Sequence, residues 1–167
     1  RHVVQVVAHW DQPRTDWLLG TTLNAPAAAR DYEYEGVPVH RLTLDAATRR
    51  RLRPWVWGYY PLQDWALPRI AAALAGELAP YAAAAEVVHN CRIGREGLSY
   101  ASLQTARRRG VPFVLTPVHH PRWGGWLHRH YQRLYRDADA VIALTQAERR
   151  VLVSLGVDER RVFVTGM

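Results

Sequence analysis

"GLSYASLQTARRRGVPFVLTPVHHPRWGG", Gly97 to Gly125, decides how the rest of the chain is read. Its first half reads as a helix, with Arg107, Arg108 and Arg109 in the last turn, where cations suit the negative helix end. Gly110 is the stop. "VPFVLTPV" then reads as a short apolar strand, too brief for a helix and enriched in β-branched residues. It runs into two adjacent histidines, His119 and His120, ahead of Pro121. Strand ends are where sites collect in α/β proteins. The pair is therefore a candidate site, or else polar filling that caps the turn.

The same alternation continues on both sides. Before the stretch, "AEVVHNC" reads as a strand. After it, "WLHRHYQRLYRDA" reads as a helix with Leu127, Tyr131, Leu134 and Tyr135 on one face, and "DAVIALT" as a strand. "QAERRVLVSLG" is a helix with Ala147, Val151, Leu152 and Leu155 inward, and "RRVFVTGM" begins a last strand. Short apolar strands separated by helices imply a mostly parallel sheet covered on both faces. The expected fold is a Rossmann-like three-layer α/β/α domain spanning residues 1–167.

The first half is less regular. Val3 to His9, "VVQVVAH", reads as a strand, and Tyr32 to Leu44 as a hairpin turning at Glu35-Gly36. Asp45 to Pro61 is basic, then aromatic, with Pro54, Gly58 and Pro61 expected to break any regular element. A helix is expected from Pro68, with Ile70, Ala73, Leu74 and Leu78 on one face. The chain opens on a strand with no β–α unit before it and stops at another strand, so it reads as a piece of a larger protein.

Composition narrows the partners. At 49% hydrophobic residues the chain can build a core. No apolar run approaches the roughly 20 residues that span a bilayer. The lone Cys91 excludes an internal disulfide and fits a reducing, cytoplasmic setting. The net charge of +7 favours phosphate-bearing partners: a sugar nucleotide, an anionic membrane or a nucleic acid. Every one of the 22 basic residues is arginine. No G-x-G-x-x-G follows a strand, which argues against a dinucleotide-binding enzyme of another class. No RNA- or DNA-binding motif appears, which disfavours a nucleic-acid module.

The order of motifs carries a resemblance. "RRRGVPFVLTPVHHP", followed by "RLYRDADAVIALTQAERRVLVSLGVDERRVFVTGM", resembles the N-terminal domain of family 4 glycosyltransferases, which have the GT-B fold. "EGVPVHRL" is similar to that family's early hairpin. The resemblance implies retaining transfer from a nucleotide-sugar substrate, without metal or cofactor, to a sugar or lipid-linked acceptor held by this domain. It also implies that the first β–α unit and the C-terminal donor domain lie outside this chain. The open sheet edge that results invites self-association.

Site residues follow from both readings. In the family a functional histidine stands two residues after the strand-ending threonine, a position held here by Val118. Either a shifted loop brings His119 or His120 there, or the activity is altered. A neutral imidazole offers one donor and one acceptor to a sugar. Asn90, Arg92 and Arg95 flank a helix N-terminus, a natural anion site, and Arg122 and Trp123 follow the histidines. Thr145, which with Glu148 forms a capping box, and Arg149 stand at the next strand end. Acceptor contact is expected of Asn90, Arg92, Arg122, Trp123, Thr145 and Arg149. His128 and His130 lie about 200° apart around a helix and cannot share a metal. Asp137 and Asp139 imitate a metal-binding DxD but read as a polar turn. The basic, Trp-rich stretches "RRRLRPWVWGYY" and "PRWGGWLHRHYQRLYR" suit the inner face of an anionic membrane, or simply a solvated basic face.

Overall fold

The computed structural model describes residues 4–8, 30–91 and 96–166. Glu35 and Gly36 both take positive φ, 48° and 79°. A two-residue hairpin loop needs that pair of left-handed residues to match strand twist. They join β2 (Arg30–Tyr34) to β3 (Val37–Arg41) in antiparallel register, Tyr34 opposite Val37. β1 (Val6–Ala8) pairs parallel to β3 on its other side, so this sheet runs β1-β3-β2.

The next segment departs from expectation. Ala46–Trp57 is a helix, α1, in spite of Pro54. Asp45 caps it: one carboxylate oxygen accepts the Thr48 N–H at 2.8 Å, and Thr48 Oγ1 donates to the other at 2.8 Å. These bonds hold the Asp45 carboxyl below its ordinary value. A proline inside a helix costs about 3 kcal/mol. Burial of Leu52, with Trp55 and Val56 packed beside it, offsets that cost. Gly58 then ends the helix, its N–H bonded to the Pro54 carbonyl at 3.0 Å. α2 (Gln63–Leu78) starts ahead of Pro68, because Gln63 is buried and its side chain is engaged from the first turn.

The second half follows the alternation. β4 (Val88–Cys91), α3 (Glu96–Arg109) and β5 (Phe113–Thr116) come first. A 3-10 turn at Trp126–His128 leads into α4 (Arg129–Asp137), then β6 (Ala140–Ala143) and α5 (Gln146–Ser154). A turn at Glu159–Arg161 precedes β7 (Val162–Val164). The sheet runs β4-β5-β6-β7, parallel throughout. This is a Rossmann-like α/β fold.

Two cores meet at Tyr100. One gathers Leu42, Leu52, Leu67, Ile70 and Leu74; the other gathers Phe113, Leu115, Leu134, Tyr135, Val141 and Leu152. Each such side chain, fully buried, contributes about 1.5–3 kcal/mol. Tyr131, Leu134 and Tyr135 face inward as expected, whereas Leu127 is exposed because it precedes the helix proper. On α5, Ala147 and Val151 are exposed and Leu152 alone is fully inside. The inward place belongs instead to Glu148, whose carboxylate has backbone partners to meet.

α3 sits tightly on α2 at Gly97, where an added Cβ would lie 2.8 Å from Ile70 Cγ2. In an open helix Gly→Ala would gain about 1 kcal/mol. Here the overlap with a buried side chain outweighs it. Gly97→Ala should therefore lower stability by about 1–2 kcal/mol, read as a lower denaturant midpoint at unchanged slope. A raised midpoint would count against this packing.

Candidate functional site

Val118 is the anomaly at the end of β5. It takes φ of 49°, a left-handed conformation that a β-branched residue adopts only when its surroundings impose it. Glu148, in the first turn of α5, is what imposes it. Its Oε1 accepts the His119 N–H at 2.6 Å and its Oε2 accepts the Leu144 N–H at 2.7 Å. One carboxylate thus ties the loop after β5 to the end of β6. Thr145 caps the helix, its Oγ1 accepting the Glu148 N–H at 3.1 Å. Only this half of the expected capping box forms; the returning bond goes to Leu144 and His119.

His119 is half-buried and held at both ends. Its Nδ1 lies 3.0 Å from the Tyr135 hydroxyl. Burial, reinforced by the Glu148 charge, pushes the Tyr135 phenol far above its ordinary range, so the group is an O–H. Tyr135 is fully buried, and its proton needs an acceptor, which Nδ1 supplies. The proton on His119 then resides on Nε2. Burial lowers the His119 pKa, with Glu148 opposing and His120 adding to the effect, so the ring is neutral at pH 7. A neutral ring with Nε2–H is a hydrogen-bond donor.

His120 is exposed and plays a local part, its Nδ1 accepting the Arg122 N–H at 3.1 Å. Both histidine rings touch Trp123, with centroids 6.3 Å and 5.7 Å away, and Trp123 rests on Tyr131 at 5.2 Å. Trp123 is thereby a half-buried platform between two imidazoles. Arg122 is exposed beside it.

The remaining candidates are placed differently. Asn90 is buried and turned toward α3, accepting from Ser99 Oγ at 3.0 Å and donating to Ser102 Oγ at 3.5 Å. Arg149 is paired with Glu159 at 2.8 Å. Arg92 and Arg95 lie outside the described residues. Asp139 is a brace: Oδ2 accepts the Phe113 N–H at 2.8 Å and Arg107 Nη1 at 2.7 Å. Burial raises its carboxyl, but these partners outweigh it and hold the group below its ordinary value. His128 stacks on Tyr131, while His130 lies beside Tyr100 and Asp64, so the two histidines serve different neighbours.

The register adds a trio that the sequence did not single out. Cys91 pairs with Thr116 across β4 and β5. His89 Nε2 lies 2.8 Å from Thr116 Oγ1 and 3.5 Å from Cys91 Sγ. Burial raises the Cys91 thiol, against a lowering hydrogen bond from Thr116, and lowers the His89 ring. Both stay uncharged, which makes this a polar cluster and not a thiolate–imidazolium pair. Glu148 and Tyr135 were also missed in these roles. The first carries only a capping signal in sequence, and the second reads as core.

No curated protein matches this chain. The glycosyl transferase 4-like domain family matches residues 1–166. That span takes in the hairpin, the parallel sheet and the braced loop after β5. The chain belongs to the glycosyl transferase 4-like domain family.

Proposed function

We propose that this chain is the acceptor side of a retaining glycosyltransferase that moves a sugar from a nucleotide-sugar substrate. The acceptor, a sugar or a lipid-linked sugar, would lie against the ends of β5 and β6. The observation that carries the reading is the braced loop: Val118 at φ 49°, with His119 fixed by Glu148 and Tyr135. A strained, over-determined loop at a strand end suits a site that must present one side chain in one orientation.

In this reading His119 donates Nε2–H to an oxygen of the sugar or the donor, and does not act as a base. Trp123 offers a stacking edge to a sugar ring, with His120, Arg122 and Thr145 around it. Arg149 and Arg92 would contribute charge toward an anionic group, and Asn90 would act by seating α3 under the loop. The reading uses no metal and no cofactor beyond the sugar nucleotide, and it suits a cytoplasmic enzyme at the inner face of a membrane.

The test is to replace each histidine in the protein joined to its donor half. His119→Ala should lower kcat/KM by about ten- to a hundredfold, the range for one well-placed hydrogen bond. His120→Ala should cost less than threefold, a loss that is small against the tenfold step of 1.4 kcal/mol. Two small losses would return the pair to a structural role.

A further inference from the structure

Five large apolar side chains are exposed on three separate segments: Trp57 ending α1, Leu62 and Trp65 opening α2, and Trp126 and Leu127 in the 3-10 turn before α4. The three indoles are 74%, 64% and 60% exposed. Contacts draw the segments together. The Leu62 N–H bonds the Gly58 carbonyl at 3.0 Å, and the Leu62 side chain lies where a Cβ on Gly58 would meet it at 3.3 Å. Gln63 Nε2 donates to the Leu127 carbonyl at 3.0 Å. Arg129 Nη1 reaches Gln63 Oε1 at 2.7 Å and the Trp126 carbonyl at 3.1 Å. The turn is thus latched onto the first turn of α2.

Cations interleave with the indoles. Arg53 lies over Trp57 at 4.9 Å, Arg129 over Trp126 at 4.1 Å, and Arg69 over Trp55 at 4.2 Å. Arg49, Arg50, Arg53 and Trp57 border one shallow concavity on α1. Asp64, the carboxylate at this end of α2, is engaged by Arg129 at 2.8 Å. Positive charge therefore dominates.

Clustered exposed apolar groups mark an interface, and three features choose its partner. Indoles with adjacent guanidinium groups suit a boundary that is apolar on one side and anionic on the other. Guanidinium groups already cover faces of Trp57 and Trp126 on which nucleic-acid bases would stack. No helix among the described residues is long and apolar enough to cross a membrane, so contact would be at its surface.

We infer that this end of the molecule docks on an anionic lipid bilayer, with Trp57, Trp65 and Trp126 in the interfacial layer and Arg49, Arg50 and Arg53 on the headgroups. Trp123, which both histidine rings touch, precedes Trp126 by three residues. A head group emerging from the bilayer would therefore meet the His119 loop nearby. The docking itself stands without the transferase reading.

The experiment is sedimentation of the chain with vesicles of phosphatidylglycerol and phosphatidylcholine, or phosphatidylcholine alone. Binding is expected to the anionic vesicles, with release at high salt. Arg50→Ser with Arg53→Ser, and separately Trp57→Ser with Trp126→Ser, should each lower partitioning about tenfold. Arg108→Ser with Arg109→Ser, the same charge change at the far end of α3, should leave it unchanged. Quenching of the parent's indole emission by brominated phosphatidylglycerol gives a readout that needs no variant. Equal binding to neutral vesicles, an equal loss from the α3 pair, or no quenching would overturn the assignment. Binding to an RNA oligonucleotide and not to vesicles, abolished by the same substitutions, would overturn it in favour of nucleic acid.

Discussion

Purified and mixed with a panel of sugar nucleotides and simple sugar acceptors, these 167 residues should give no measurable transfer. Under the proposed reading they hold one reactant only. Fixing two reactants together is worth about 7–11 kcal/mol of the barrier, so its absence removes more rate than any single residue supplies. Nucleotide binding should also be very weak. One of the free N–H groups of the α5 N-terminus, a natural anion site, is already taken, since Thr145 Oγ1 accepts the Glu148 N–H. β1 and β4 are edge strands of the two described sheets, and such edges favour self-association. Turnover and heat of binding are the measurements. Micromolar affinity, or turnover above background, would mean that the donor site lies within this chain.

Replacing Glu148 by alanine should destabilise the fold by about 3 kcal/mol. The carboxylate accepts two backbone N–H groups at 2.6 Å and 2.7 Å. Charge-assisted bonds contribute about 1.5–3 kcal/mol each. Relaxation of Val118 out of its left-handed conformation would return about 1 kcal/mol of strain, which sets the net value. Glu148→Gln keeps one acceptor oxygen but turns an amide N–H₂ toward the second donor, and should cost about 2 kcal/mol. Under the proposed reading, transfer by the chain joined to a donor domain should fall with both, at temperatures where each is fully folded, because the His119 backbone anchor is weakened. Denaturant midpoints and rates below the transition check this. A cost under about 0.5 kcal/mol, the level of an ordinary surface change, would show that the brace is idle.

The two halves of the chain were legible to different degrees. Periodicity and stop signals suffice from β4 onward, since Gly110 and the short apolar runs leave few alternatives to a parallel sheet. The hairpin was equally plain, because Glu35-Gly36 admits a turn with positive φ at both residues. α1 was hidden by Pro54: a local rule about proline was overruled by the Asp45 cap and the burial of Leu52, and burial is not visible in a window of sequence.

The site divides in the same way. The family-like order of motifs, the parallel sheet and the histidines at a strand end are legible along the chain, because each rests on sequence neighbours. Only packing decided that His119 is anchored while His120 is exposed, that Asn90 turns to α3, and that Glu148 reaches back 29 residues to hold the His119 N–H. It also decided that Trp57, Trp65 and Trp126 share one end of the molecule, since Gln63 and Arg129 bond across 66 residues of sequence. Such contacts depend on how elements pack, and packing energy is set by surfaces that meet only after the strands are in register.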